Sequence, residues 1–320
     1  MWVRAVVWLA LAFLFLSGCT DTRVDTSSAS SDRFEEFQAV TEDGVNLYGR
    51  IVGSGPDTVI IPLGAWLARD LKPLSRSRTL IFYDLRSRGA SGYISDPERL
   101  GLDFDVADLE AVRSHFAVER FSLLGWSYLG AVVALYAAEF PQHVKAVVQI
   151  GPMAPRPETS VVEDQRGSPP SLEELEHLAQ LEEAGLPSSD PVAHCREVAM
   201  IQLIRPMMGH PEAASRSKID PCIYWNEWPN QLFSTLQKFV PAMTGEDWDY
   251  TGSASRIQAP VLTIHGTADP NAPVEGGRDW ATLIPEAILL EMEGIGHAPW
   301  LESPDEFFQA VNEFLSEHGE

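Results

Sequence analysis

Ser127 stands between two apolar runs in the segment FSLLGWSYLG, residues 121–130. A serine at a sharp strand-to-helix turn can act as a nucleophile, and small residues two positions away allow that turn to form. Gly125 meets this need upstream, whereas Leu129 stands at the downstream position and the glycine follows one residue later, at Gly130. We therefore predict a nucleophile at Ser127, although a serine that only caps a helix remains an alternative for this segment alone.

Two further polar residues follow later apolar runs and could activate that serine. Asp269 lies in HGTADP after one predicted strand, and His297 lies in GIGHAPW after the next. A serine hydroxyl is a weak nucleophile that needs a base, and the base needs an acid to orient it. The chain order serine, aspartate, histidine after three separate strands predicts a catalytic triad that works without metal or organic cofactor. His265 ends a buried strand, and we expect it in the core.

The elements that would position these residues alternate between β-rich and helical stretches from residue 34 onward. Nearly continuous apolar runs such as VII at 59–61 indicate strands buried on both faces of a mostly parallel sheet. Predicted strands cover 45–52, 58–61, 79–83, 120–124, 144–150, 261–265 and 287–291, and predicted helices cover 103–117, 128–140 and a stretch that begins after Ser303. This alternation predicts a doubly wound α/β sheet.

Residues 153–250 interrupt the alternation with a proline-rich start and no convincing strand. Ser171 begins a capping-box pattern, SLEE, and leucines recur at every third position behind it. We predict a helical cap over 153–250, inserted between two late strands of a core that comprises 34–152 and 251–320.

The segment YDLRSRGAS at 83–91 resembles the Tyr-Asp-x-Arg-Gly-x-Gly-x-Ser stretch of proline iminopeptidase-like α/β-hydrolases. Trp126 and the GIGHAPW loop are similar to the same group. The resemblance covers 40–152 and 251–318 and is weak within the cap. It implies the α/β-hydrolase fold, with an eight-stranded sheet and an active site at the carboxyl ends of the strands, under the cap.

The resemblance also implies an oxyanion hole made by two backbone N–H groups. One donor is the residue after the nucleophile, Tyr128. The other follows the third core strand, where the sequence PLGAW has Leu63 in place of the usual histidine, and we assign that donor to Ala65. Trp66 and Trp126 are the expected aromatic contacts of the substrate.

The activity implied by the resemblance is hydrolysis of small peptides at a free N-terminus. Cap residues 153–250 hold sixteen acidic and seven basic residues, and Glu227 stands among aromatic residues in YWNEW. We expect Glu227 to bind the substrate amine, the alternative being a carboxylate on a solvated helix face. Two alternatives remain. The same triad could belong to a carboxylesterase or lactonase, or the protein could be a catalytically inactive lipoprotein that serves as a binding module.

The first nineteen residues differ from the rest of the chain. Arg4 precedes the apolar run 5–16, and LSGC then ends at Cys19, as in the lipobox of bacterial lipoproteins. We predict a signal peptide over 1–19, lipidation of Cys19, a flexible tether over 20–33 and membrane anchoring after export. Thr20 favours the outer membrane, on its periplasmic face, in a host with two membranes. A simple signal peptide that happens to end in cysteine is the alternative.

Charge and cysteine content limit the partners of the protein. Acidic residues outnumber basic ones 46 to 23, and the formal charge of −23 disfavours nucleic acid. Small molecules or short peptides are the expected substrates. Cys195 and Cys222 could form a disulfide in an oxidising compartment or remain free thiols.

Overall fold

The computed structural model describes residues 33–159, 169–222 and 248–319. One eight-stranded sheet has the strand order β1-β2-β4-β3-β5-β6-β7-β8. The pairs β1–β2 and β2–β4 are antiparallel, and the other five neighbouring pairs are parallel, which confirms the predicted mostly parallel sheet. The strands are β1 (Glu35–Val40), β2 (Asn46–Val52), β3 (Asp57–Pro62), β4 (Arg78–Tyr83), β5 (Phe121–Trp126), β6 (Val144–Ile150), β7 (Val261–Gly266) and β8 (Ala287–Met292).

Helices surround the sheet and fill the connections between its strands. The α-helices in the described part of the chain are α1 (Gly64–Leu67), α2 (Leu102–His115), α3 (Tyr128–Glu139), α4 (Leu172–Glu183), α5 (Leu186–Ser189), α6 (Pro191–Ala199), α7 (Thr251–Ala254), α8 (Val274–Leu283), α9 (Pro299–Glu302) and α10 (Pro304–His318). One π-helical turn follows α6, at Met200–Ile204, and 3₁₀ turns lie at Lys72–Arg76, Pro97–Arg99, Pro141–His143, Pro157–Thr159, Arg205–Met207 and Pro211–Arg216.

Two hydrophobic clusters pack on the two faces of the sheet. Successive residues of β5 alternate between them, since Leu123 belongs to one cluster and Leu124 to the other. Helices α2, α3 and α8 pack on the Leu123 side, and α10 packs on the Leu124 side. All six residues of β5 are buried, as the apolar run predicted.

The chain between β6 and β7, residues 151–260, is called the insertion below, and its described elements are helical. The capping box at the start of α4 is present, because Ser171 Oγ accepts from Glu174 N and the Glu174 side chain accepts from Ser171 N. Leu178 of the leucine repeat is buried, whereas Leu172 is 80% exposed. The cap limits at 153 and 250 stay a prediction.

A disulfide joins Cys195 of α6 to Cys222, with a Cα–Cα distance of 6.0 Å. The choice between a disulfide and free thiols is thereby decided. Cys19 and Glu227 lie outside the described residues, so their predicted roles stay predictions. Within residues 33–159, 169–222 and 248–319, no helix combines the length and apolar character that a membrane crossing requires.

Candidate active site

Ser127 occupies the sharp turn from β5 into α3, with backbone angles φ 59° and ψ −128°. A positive φ is strained for a residue with a β-carbon and is typical of functional turns. Gly125 permits the turn, because a β-carbon there would lie 2.6 Å from the carbonyl carbon of Leu129. At Gly130 a β-carbon would lie 2.7 Å from Pro152 Cβ, so a side chain at this position would press on Pro152.

The Ser127 backbone is held at the edge of the sheet by the neighbouring strand. Its N–H donates to the carbonyl of Ile150 at 2.8 Å, and its carbonyl accepts from Met153 N at 3.0 Å. The residue is partly exposed, on a turn that directly follows the buried strand β5.

Asp269 and His297 form a buried pair. His297 Nδ1 and Asp269 Oδ2 are 2.6 Å apart, and these residues are 2% and 3% exposed. The other carboxylate oxygen, Asp269 Oδ1, accepts from Asn271 N at 2.8 Å and Ala272 N at 2.9 Å. The carboxylate is therefore fixed in place. With Nδ1 donating to Asp269, Nε2 is the imidazole nitrogen left to act as a base.

Trp126 and Gly151 connect this pair to Ser127. The indole N–H of Trp126 donates to the His297 carbonyl at 2.8 Å. A β-carbon on Gly151 would lie 2.9 Å from Asp269 Oδ2 and 3.0 Å from His297 Nδ1. Ser127, Gly151, Asp269 and His297 come after β5, β6, β7 and β8, which are parallel neighbours in the sheet. The structure therefore brings the three predicted triad residues to the end of the sheet where these strands finish.

The aromatic residues predicted to contact substrate occupy different environments. Trp126 is 3% exposed and packs between His297 and Trp300, with ring centroids at 5.1 Å and 5.2 Å. A side chain buried this way supports the histidine loop and does not line a binding surface, so that prediction for Trp126 is corrected. Trp66 is partly exposed beside Trp126, and its role stays a prediction.

His265 lies behind the acid, fully buried at the end of β7. Its Nε2 is 2.9 Å from the Ala272 carbonyl and 3.5 Å from Asp269 Oδ2. Burial lowers the pKa of His265 and so favours the neutral imidazole. The contact with the Ala272 carbonyl supports the turn that carries Asp269. The predicted core position of His265 is confirmed.

The predicted oxyanion donor at Ala65 is wrong. Its N–H donates to Asp84 Oδ1 at 2.6 Å, and a donor committed to a carboxylate is not available to a substrate oxygen. Asp84 is buried, which raises its pKa to about 6, and its other oxygen accepts from Ala90 N at 3.0 Å. Tyr128 begins α3 directly after Ser127, at the predicted position of the first donor.

Asp105 is a buried acidic residue that contacts Tyr128, the residue after Ser127, and the sequence pattern did not single it out. The Tyr128 hydroxyl donates to Asp105 Oδ2 at 2.9 Å, and the Arg88 guanidinium lies 3.4 Å from the same oxygen. Burial raises the pKa of Asp105 to about 6, against the opposing effect of Arg88. Asp105 and Asp108 are on the buried face of α2, and acidic residues on a core-facing stripe were the available signal.

The comparisons with known proteins place the chain in a family. An alpha/beta hydrolase family model matches residues 54–310, most of the chain. This chain belongs to the alpha/beta hydrolase family. It is a hydrolase, and the predicted fold and the resemblance to iminopeptidase-like members are confirmed.

Relatives of this hydrolase include esterases and peptidases. It is 29% identical to a pimeloyl-acyl-carrier-protein methyl ester esterase of Chromobacterium violaceum, over 85% of this chain and 98% of the relative. It is 24% identical to a proline iminopeptidase of Heyndrickxia coagulans, over 88% of this chain and 94% of the relative. Among solved structures, an esterase from Rhodococcus sp. ECU1013 aligns with a TM-score of 0.63 and 25% identity, covering 89% of this chain and 99% of the esterase.

Proposed function

We propose that this hydrolase cleaves small carboxylic esters through an acyl-enzyme at Ser127. The observation that carries the proposal is the buried Asp269–His297 hydrogen bond at 2.6 Å, at the same end of the sheet as the strained elbow of Ser127. His297 Nε2 takes the hydroxyl proton as Ser127 attacks the ester carbonyl, and then gives it to the departing alcohol. Water, activated by the same imidazole, attacks the acyl-enzyme and releases the acid.

The other residues have defined parts in this mechanism. Asp269 holds the imidazole in the tautomer with the proton on Nδ1 and stabilises its charged form. The N–H of Tyr128 donates to the oxyanion of the tetrahedral intermediate. Since Ala65 N donates to Asp84, Tyr128 N is the oxyanion donor of this proposal.

Esters are favoured as substrates because an esterase occurs in both comparisons. One is a sequence relative at 29% identity, and another is a solved structure at 25% identity. The motifs that resemble iminopeptidases do not separate the two activities, because both kinds of relative match more than four fifths of the chain.

An aminopeptidase acting on small peptides is the second candidate. Residues 153–250 carry sixteen acidic against seven basic residues, a net charge of −9, and a net negative charge attracts the ammonium group of a peptide. Glu227, among aromatic residues, is the proposed amine-binding carboxylate.

A substrate panel on the purified protein tests the two candidates. A p-nitrophenyl ester with a short acyl chain should be hydrolysed, while a prolyl arylamide should be cleaved slowly or not at all. Efficient cleavage of the arylamide, together with loss of that activity alone in Glu227→Gln, would transfer the assignment to the aminopeptidase. A fluorophosphonate probe should label the wild type and not Ser127→Ala, and absence of labelling would instead support an inactive binding protein.

We also propose that the protein is exported and anchored through a lipid on Cys19. The Cys195–Cys222 disulfide supports an oxidising compartment, where such bonds persist. Metabolic labelling with a fatty-acid analogue should mark the wild type, and Cys19→Ala should abolish the label. Equal labelling of both proteins would contradict the lipobox assignment.

A further inference from the structure

The loop that carries His297 is bound to the insertion by main-chain hydrogen bonding. The N–H of His297 donates to the carbonyl of Met207 at 2.8 Å, and Met207 ends the 3₁₀ turn Arg205–Met207. The proposed base therefore takes part of its backbone support from the insertion.

Glu302 connects the same two segments through its carboxylate. Oε1 accepts from Gly296 N at 2.9 Å, next to His297, and Oε2 accepts from His210 N at 2.7 Å, within the insertion. One oxygen is thus committed to each segment. Charge-assisted bonds of this kind are stronger than bonds between neutral groups.

Two glycines let the segments approach closely. A β-carbon on Gly209 would lie 3.0 Å from Gly296 N and would overlap the carbonyl oxygen of Gly294. A β-carbon on Gly296 would lie 2.5 Å from the Met207 carbonyl oxygen. The two backbones are therefore in direct contact, without side chains between them.

The insertion side of this contact is itself anchored in the core. Met207 and Met208 are 3% and 1% exposed and belong to the same hydrophobic cluster as Trp300. Ten residues after Met208, Lys218 N donates to the Asp70 carboxylate at 3.0 Å, and the Trp300 indole lies 3.4 Å from that carboxylate. Movement of residues 207–210 would disturb packing that extends to the histidine loop.

We propose that Glu302 is a positioning residue, which joins the Gly209–His210 turn of the insertion to the His297 loop so that the insertion sets the position of the base. The inference rests on the proposed role of His297 and adds to it that the insertion also holds the base. An error of about 1 Å in the position of a catalytic group can reduce turnover by about 100-fold.

Glu302→Gln tests the proposal with little change in shape. One acceptor oxygen becomes an NH₂ group that faces a backbone N–H, so one of the two loops is released. We expect kcat on an activated ester to fall by about tenfold to 100-fold, with KM within about twofold. The rate of fluorophosphonate labelling should fall in parallel with kcat.

Glu302→Asp keeps the charge but shortens the reach of the carboxylate. It should lower kcat in the same way, because both loops can no longer be reached at once. The matched control is Glu313→Gln, an exposed glutamate on α10, which should retain wild-type kcat and KM.

Gly209→Ala tests the contact independently of Glu302 and decides the matter if the Glu302 variants do not fold. The added methyl group should displace the histidine loop and lower kcat at unchanged KM. Gly252→Ala is its control, because a β-carbon at Gly252 meets nothing within 4 Å.

Wild-type kcat in folded Glu302→Gln, or in folded Gly209→Ala, would overturn the proposal. So would a loss of activity that appears equally in the control variants. His297→Ala separates this inference from the proposed function, since turnover in that variant would refute the base itself. Inactive His297→Ala together with fully active Glu302→Gln would leave the mechanism standing and reject only the positioning role.

Discussion

His297 Nδ1 and Asp269 Oδ2 are 2.6 Å apart, and both residues are almost completely excluded from solvent. The carboxylate also accepts two backbone N–H groups, so the acid is held by its own turn and does not depend on the histidine for its position. Loss of either partner should consequently affect chemistry more than folding.

Substitution within the proposed triad should abolish turnover without unfolding the protein. Ser127→Ala, His297→Ala and Asp269→Asn should each lower kcat by at least about a thousandfold, because the three groups act as a unit. For the same reason, the double variant Ser127→Ala/His297→Ala should be no worse than either single variant. Ester hydrolysis at saturating substrate gives the rates, and circular dichroism checks the fold. Substantial turnover by folded Ser127→Ala would refute the nucleophile.

Gly151→Ala should damage the site from a position that bears no functional group. A β-carbon would press on Asp269 Oδ2 and His297 Nδ1 at 2.9 Å and 3.0 Å, and the residue has φ 46°. We expect kcat to fall by about 100-fold as the pair is displaced. Gly44→Ala is the control for backbone strain, since Gly44 has φ 85° but open space around it. If both variants keep wild-type kcat, Gly151 does not confine the pair.

Asp105→Asn should change the pH dependence of stability. Burial raises the pKa of Asp105 from 3.8 to about 6, so the folded state holds this proton more tightly than the unfolded state does. The stability contributed by that proton is complete below pH 3.8 and is lost as the pH rises through about 6. Wild type should therefore lose about 3 kcal/mol relative to Asp105→Asn between about pH 4 and about pH 8.

Denaturant unfolding of both proteins across this pH range measures that difference. Asp103→Asn, an exposed aspartate on the same helix, should track the wild type. A difference between wild type and Asp105→Asn that stays constant with pH would show that Asp105 does not titrate in this window.

Removal of the disulfide should destabilise the insertion. Cys195 and Cys222 are 27 residues apart, and closing a loop of this length is worth about 3.5 kcal/mol through the entropy of the unfolded chain. Cys195→Ala/Cys222→Ala should unfold at a lower temperature than the oxidised wild type. Reductant should lower the Tm of the wild type and leave the double variant unchanged; an equal effect on both would mean that another property is being measured.

Strand positions could be predicted where an apolar run forms the strand. The predicted strands 144–150 and 261–265 differ from β6 and β7 by at most one residue. The edge strand β1 was missed, because Ala39 is its only fully buried residue and no apolar run marks it.

The residues of the candidate site also separate into those that the sequence pattern could identify and those that it could not. Ser127, Asp269 and His297 could be found because each has a local signature after a strand. The bond from Ala65 to Asp84 and the contacts of Glu302 could not be found, since backbone N–H groups leave no residue-type signal and their partners are distant in the chain. The oxyanion prediction failed for this reason.

The contact between Gly209 and Gly296 has a consequence for engineering. A chimaera that receives its insertion from another hydrolase would retain every residue of the proposed triad and still lack the surface against which the histidine loop rests. The graft would need a residue without a side chain opposite Gly296 and a carbonyl within reach of the His297 N–H. Transfer of the insertion between hydrolases is thus limited by backbone fit at this contact, whichever side chains the new insertion carries.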